Sequence, residues 1–251
     1  MTTARTLGIL AALVAAPAMG DVLEIVADRD NTLFESGDGS VSSGAGRHVY
    51  AGRVNFDANG WVERRGLLHF DVSAIPAGAT IVSAEVQVLV TKVPPAPPLG
   101  LVFGLHRCLA DWGESTSFAT GGDGAPTAPG DATWLHTFAP DVTWTTPGGD
   151  FESEAAGTTI MNGLGSYTFA GDGLTADVQR WVDGGDNHGW VMVGDVSTPR
   201  TVRQFASREA ATPAHRPTLV VEWQPGGSPA DLNGDGLVDG ADLGLLLADW
   251  G

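Results

Sequence analysis

Hydrophobic and polar residues alternate most regularly over residues 80–91. Val82, Ala84, Val86, Val88 and Val90 fall on one side, and Ser83, Glu85 and Gln87 on the other. A period of two marks a half-buried antiparallel strand. Leu68, Phe70 and Val72 alternate with Leu67, His69 and Asp71 in the same way. Strand-like runs also cover residues 22–27, 47–52, 101–107, 166–170, 189–195, 201–207 and 217–224. Turn clusters separate them, among them Asp57-Ala58-Asn59-Gly60, Pro76-Ala77-Gly78 and Gly184-Gly185-Asp186-Asn187. Helical spacing occurs twice. Residues 175–182 would bury Val178, Trp181 and Val182, and from about Ala241 onward Leu243, Leu246, Leu247 and Trp250 recur at i, i+3, i+4 and i+7 on one apolar face. Many strands, tight turns and little helix predict an all-β protein: an antiparallel β-sandwich of jelly-roll type with a short C-terminal loop and helix. Residues 113–131, rich in Gly, Thr and Pro, are expected as a long surface loop.

Composition sharpens this picture. The 251 residues include 35 Gly and 15 Pro, which disfavours long helices. The formal net charge is −17, from 13 Lys+Arg against 30 Asp+Glu. Binding to phosphate backbones needs clustered Lys and Arg, so nucleic acid and anionic membranes are poor partners. Cys108 is the only cysteine, so no disulfide forms within the chain. Residues 1–20 read as a secretory signal: Arg5 supplies charge, residues 7–16 are apolar, and Ala18 and Gly20 are small, predicting cleavage before Asp21. That run is too short to span a bilayer, and no longer one follows. The expected organisation is a signal at 1–20, a β-sandwich at 21–224, a linker at 225–230 and a distinct tail at 231–251.

The tail carries the most specific pattern. Asp231, Asn233, Asp235, Asp239 and Asp242 occupy positions 1, 3, 5, 9 and 12 of a loop with Gly236 at position 6, and Leu237 would offer its carbonyl at position 7. This is the spacing of an EF-hand-type calcium loop, where about six to eight oxygens converge on a hard cation and glycine permits the sharp turn. Asp242 is one methylene shorter than the usual glutamate at that position. No helix precedes the loop, because Pro225-Gly226-Gly227-Ser228-Pro229 is linker-like. A loop with only the exiting helix, and aspartate at position 12, resembles one repeat of a type I dockerin. The resemblance implies Ca2+ as cofactor and a cohesin-like or cell-surface protein as partner, although that family normally carries two repeats. A helix of about ten residues does not stand alone in water. The stripe Leu243, Leu246, Leu247 and Trp250 is therefore expected to dock on a partner surface, from the parent domain or from another molecule.

Further motifs occur in order along the sandwich: Val26-Ala27-Asp28, then Arg64-Arg65-Gly66-Leu67-Leu68-His69-Phe70-Asp71, Ala176-Asp177-Val178-Gln179-Arg180-Trp181, Asn187-His188-Gly189-Trp190, and Phe205-Ala206-Ser207-Arg208-Glu209. Over residues 22–223 this order is similar to a DNRLRE domain, related to disaggregatase-type and alginate-type carbohydrate-binding modules. The resemblance implies a sandwich fold and fixes function only loosely. His69 stands where that family often has arginine.

Candidate chemistry in the sandwich is sparse. No nucleophile elbow, zinc-protease motif, phosphate loop or dinucleotide fingerprint occurs. Cys108 suits a small core residue. Glu152 and Glu154, two apart, would share a strand face as an acid/base pair or stand as solvated loop carboxylates. Trp61, Trp112, Trp134 and Trp144 lie in or beside loops, where an indole stacks on a sugar ring or packs into a core. Asp28, Asp30 and Asn31 would supply oxygens to a second calcium or cap a turn, and Arg208-Glu209 would close a corner as an ion pair. These features point to an exported non-catalytic module that binds polysaccharide or serves a surface. An extracellular polysaccharide hydrolase or lyase, and a purely structural surface protein, are the alternatives.

Overall fold

The structure is a computed structural model and describes residues 20–226, 230–233 and 238–250. Its first strands are β1 (Asp21–Val26), β2 (Arg29–Phe34), β3 (Val41–Ser42), β4 (His48–Arg53), β5 (Glu63–His69), β6 (Thr80–Lys92) and β7 (Leu101–Arg107). There follow β8 (Ala125–Pro126), β9 (His136–Phe138), β10 (Val142–Thr143), β11 (Gly157–Met161) and β12 (Gly165–Phe169). Helix α1 (Asp172–Val182), strands β13 (Trp190–Val193), β14 (Arg203–Ala206) and β15 (Thr218–Gln224), and helix α2 (Gly240–Asp249) complete the order. The fold is the expected antiparallel β architecture with a short C-terminal helix.

One curled sheet runs β1-β15-β6-β14-β4-β5-β13-β7-β11, with β12 beside β6 and β2 beside β5. It turns over where β4 meets β5, through the pairs Gly52↔Arg64 and Arg53↔Glu63. Gly52 has φ +105°, and a Cβ there would lie 2.9 Å from the Thr201 backbone. Only glycine combines that conformation with so close an approach. The turnover brings the two halves face to face around one core. Val86, Val88, Val90, Phe205 and Leu219 come from one half, and Leu68, Phe103, Leu105, Trp190 and Met192 from the other. Phe103 and Phe205 meet edge-on across the middle, with centroids 6.1 Å apart.

Strand β6 departs from simple alternation in an informative way. Val82 is exposed, while Ile81 and Ala84 are buried. The register against β15 jumps between Glu222↔Ser83 and Trp223↔Ile81, so Val82 is the extra residue of a β-bulge. A bulge moves the strand's apolar set by one position. Helix α1 lies along this same end of β6. Gln179 accepts a hydrogen bond from the Ile81 amide at 2.8 Å and donates one to the Ala79 carbonyl at 3.0 Å. Thr175 accepts another from the Ala84 amide at 3.2 Å. Side chains of α1 thus stand in for a neighbouring strand and cover an edge that would otherwise be open. The helix begins three residues before its expected start and buries Leu174, Asp177, Val178 and Trp181.

The half-sheet containing β5 and β13 is buried on both faces. Leu68, Trp190 and Met192 point into the main core, whereas Leu67, Val191 and Leu33 point outward into a second one. That second core is completed by Cys108, Trp112, Ala132, Trp134 and Trp144. The segment expected as a surface loop at 113–131 is irregular apart from β8 and largely at the surface, and it is tied down at a few buried points. Asp131 is buried and accepts hydrogen bonds from the Ser115 and Ala128 amides, each at 2.8 Å. Ser117 accepts one from the Gly44 amide at 2.9 Å.

Candidate functional site

The C-terminal loop and helix are joined by one carboxylate. Asp239 caps α2 by accepting a hydrogen bond from the Ala241 amide at 2.7 Å. Three residues on, Asp242 accepts from the Asp239 amide at 2.7 Å and completes a capping box. Its other oxygen accepts from the Leu232 and Asn233 amides at 2.7 and 3.2 Å. Asp242 therefore fastens the start of the loop to its end, and it is only 3% exposed on a helix whose other side chains face solvent. The three amide donors, that of Asp239 foremost, hold its carboxyl below the usual range against a smaller effect of burial. Asp231, Asn233, Asp239 and Asp242 are among the described residues; Asp235 and Leu237 lie outside them.

The helix carries the expected stripe. Leu243, Leu246, Leu247 and Trp250 are 55%, 44%, 61% and 83% exposed. The loop adds to it: Leu232 and Val238 line a groove with Leu243, Leu246, Asp239 and Asp242. Sequence reasoning missed this contribution. Its signal was available, as apolar residues at loop positions 2 and 8 between the oxygen donors.

The tryptophans divide differently from expectation. Trp112, Trp134 and Trp144 are buried, so their faces are closed to a sugar ring. Trp112 donates its indole N–H to the His188 carbonyl and Trp144 to the Thr133 carbonyl, each at 2.8 Å. The Arg29 guanidinium lies over the Trp112 ring and that of Arg65 over the Trp134 ring, both at 4.9 Å from the centroid. These three residues sit in loops, but the loops fold back to cover the sheet. Only Trp61 among the four candidates is half-exposed. It stands on the β4–β5 connection together with Phe56, which is 78% exposed and which the sequence reading did not single out.

The remaining candidates resolve into structural contacts. Glu152 accepts a hydrogen bond from Arg107 at 2.7 Å, while Arg107 also holds Asp177 at 3.0 Å. Asp177 in turn accepts the indole N–H of Trp190 at 2.8 Å. Glu154 joins Arg107, Glu152 and Asp177 on the wall of one open groove. Cys108 is buried, donates to the Ala110 carbonyl at 3.3 Å, and has its thiol pushed up to about 11 by burial. The trio Asp28, Asp30 and Asn31 separates. Asp28 pairs with the His69 ring at 2.6 Å. Asn31 is spent on covering segments: its amide reaches the Gly113 and Ala132 carbonyls at 3.3 and 3.4 Å, and its oxygen accepts from the Thr32 and Ser43 amides at 2.7 and 3.1 Å and from the Ser42 hydroxyl at 3.1 Å. Asp30 faces elsewhere, toward Arg208 and Glu209.

Among the described residues no helix is long and apolar enough to cross a membrane. No protein-family model matches the chain, and a search of characterised proteins finds no significant match.

Proposed function

We propose that this is an exported, non-catalytic surface module whose C-terminal loop binds Ca2+ and whose last helix docks on a cohesin-like or cell-surface protein. The observation that carries the reading is the apolar stripe of Leu243, Leu246, Leu247 and Trp250, exposed on a helix tied by Asp242 to an acidic loop. Burying such side chains gains about 1.5–3 kcal/mol each, so a stripe left in solvent favours association. The donor set fits a hard cation, because the five side chains that would ligate are carboxylates or an amide and Leu237 would offer only its carbonyl. Asp231, Asn233, Asp235, Asp239 and Asp242 would hold the ion with the Leu237 carbonyl. The ion would offset the repulsion among four carboxylates and so couple loop closure to helix formation.

Calorimetry on the full chain tests this. Wild type should take up calcium at the tail, Asp235→Ala should lose that uptake, and Asp249→Ala should keep it. A cohesin-type domain should bind wild type in calcium and release it in chelator, and Leu246→Ala should weaken that complex. Calcium uptake unchanged by Asp235→Ala defeats the reading.

For the sandwich, the proposed ligand is polysaccharide, held at Trp61 and Phe56, whose exposure on one connection supports stacking on sugar rings. A polysaccharide-array screen with wild type and Trp61→Ala checks this part, and binding indifferent to Trp61 removes it. Product analysis in the same screen addresses the competing reading, a hydrolase or lyase. Such an enzyme would act in the groove of Arg107, Glu152, Glu154 and Asp177, and release of shortened sugars would replace our reading with that one.

A further inference from the structure

Far along the chain from the tail, three carboxylates meet inside the sandwich. Asp30 comes from β2, Glu114 from the segment after Trp112, and Glu209 from the turn after β14. One oxygen of each lies within 4.8 Å of the other two. Asp30 is completely buried, and the side chains of Glu114 and Glu209 are only 6% and 21% exposed. A single cation, Arg208, stands among them. Its Nε lies 2.7 Å from Glu114 Oε1 and 2.8 Å from Glu209 Oε1, and its backbone amide donates to Asp30 Oδ2 at 2.6 Å.

Those contacts leave a specific deficit. Asp30 Oδ1 and Glu209 Oε2 are both buried and have no hydrogen-bond partner. A buried carboxylate oxygen without a donor or a cation is costly, and native proteins rarely leave one so. Three carboxylates against one guanidinium give −2 when all are ionised, which a divalent cation cancels. Oxygens on opposite sides of a calcium ion, each at about 2.3–2.6 Å, are separated by about the spread seen here. An all-carboxylate donor set selects a hard ion of this class over zinc or copper.

We infer that Asp30, Glu114 and Glu209 form a second, buried site for a divalent cation of the calcium class, which pins β2, the 113–131 segment and the turn after β14 together. The role is structural. The ion would cross-link segments distant in sequence, in a chain whose lone cysteine forms no disulfide within it.

The test uses the full chain carrying Asp235→Ala, so that the tail loop no longer contributes. Calcium should bind this protein at about one equivalent and raise its melting temperature, with magnesium weaker. Adding Glu209→Gln, or separately Asp30→Asn, should abolish both the uptake and the shift. Glu209 is the partly exposed member, so its variant serves if Asp30→Asn fails to fold. Two results overturn the inference: no calcium uptake by Asp235→Ala at millimolar concentration, or uptake that both Glu209→Gln and Asp30→Asn leave intact. The outcome separates the two sites. Uptake present in wild type but absent from Asp235→Ala leaves the tail reading standing and removes this one. Uptake unaffected by Asp235→Ala but lost in Glu209→Gln does the reverse.

Discussion

Asp111-Trp112-Gly113 and Asp249-Trp250-Gly251 are the same tripeptide in two regions of the molecule. In the first, the indole is fully buried, bonded to the His188 carbonyl and covered by Arg29. In the second, the indole is 83% exposed at the end of α2. The difference lies in what surrounds each copy. A packed segment returns over Trp112 and seals it against Cys108, Trp134 and Trp144. Among its described residues the tail shows no second layer, and a helix of 10 residues cannot build one. The sandwich therefore draws its stability from itself, while the function proposed above would make order in the tail depend on an ion and a partner.

The largest expected effect strikes the sealed copy. Trp112→Ala should cost about 3–5 kcal/mol in urea unfolding, because it opens a large cavity in the second core. A loss below about 1 kcal/mol, the level of an ordinary surface change, would erase the distinction between the two tripeptides.

Next comes the substitute strand edge on α1. Gln179→Leu removes the partners of the Ile81 amide and the Ala79 carbonyl. Leaving such groups unsatisfied should cost about 1–3 kcal/mol by the same assay. An unchanged unfolding midpoint would mean that the edge of β6 needs no cover.

A smaller effect should appear in pH dependence. Burial raises the Asp177 carboxyl above its ordinary value of 3.8, against the lowering effects of the Trp190 hydrogen bond and the Arg107 charge. The folded state then holds this proton more tightly than the unfolded chain does. Its contribution is fully present below the unfolded value and is lost as pH rises through the folded one. Asp177→Asn lacks that loss. Relative to wild type, its urea midpoint should gain as pH rises from the ordinary value of 3.8 through the raised folded one. A relative loss over that interval would reverse the sign of the argument.

The smallest effect belongs to the exposed copy. Trp250→Ala should change unfolding stability by less than about 0.5 kcal/mol. It should nevertheless weaken calcium-dependent docking. A large stability loss would show that Trp250 already rests on the sandwich and would dissolve the contrast with Trp112.

Much of the sandwich was legible because its inward positions repeat with period two. Residues 101–107 were placed to the residue, and the ends of β1, β4, β12 and β15 shift by only one. The rest was hidden for definable reasons. Strand β2 reads Arg-Asp-Asn-Thr and looks like a turn, yet Asp30, Asn31 and Thr32 are fully buried because remote segments fold over the strand. The bulge at Val82 is set by β15, which no local pattern on β6 encodes. Loop tryptophans look available in a sequence, and whether a loop folds back is a tertiary matter. The tail shows the opposite balance. Its spacing of oxygen side chains and its stripe are strictly local, so both patterns stand in the sequence itself, and the hydrogen bonds of Asp242 join residues at most ten apart. The Asp30–Glu114–Glu209 cluster unites three remote segments and left no spacing to find.

The position of β15 also bears on mechanical load. This strand leads into the tail and is flanked on both sides, by β1 over residues 21–26 and by β6 over residues 80–87. Ladder hydrogen bonds in antiparallel pairs lie perpendicular to the strands. Tension passed from a tethered tail along β15 would therefore shear both ladders at once, with the bonds sharing the force, instead of peeling them one after another. A tether attached to an edge strand such as β1 would meet only one ladder. If the tail is a tether, its attachment to an interior strand would put the point of pull where the sheet resists extraction best.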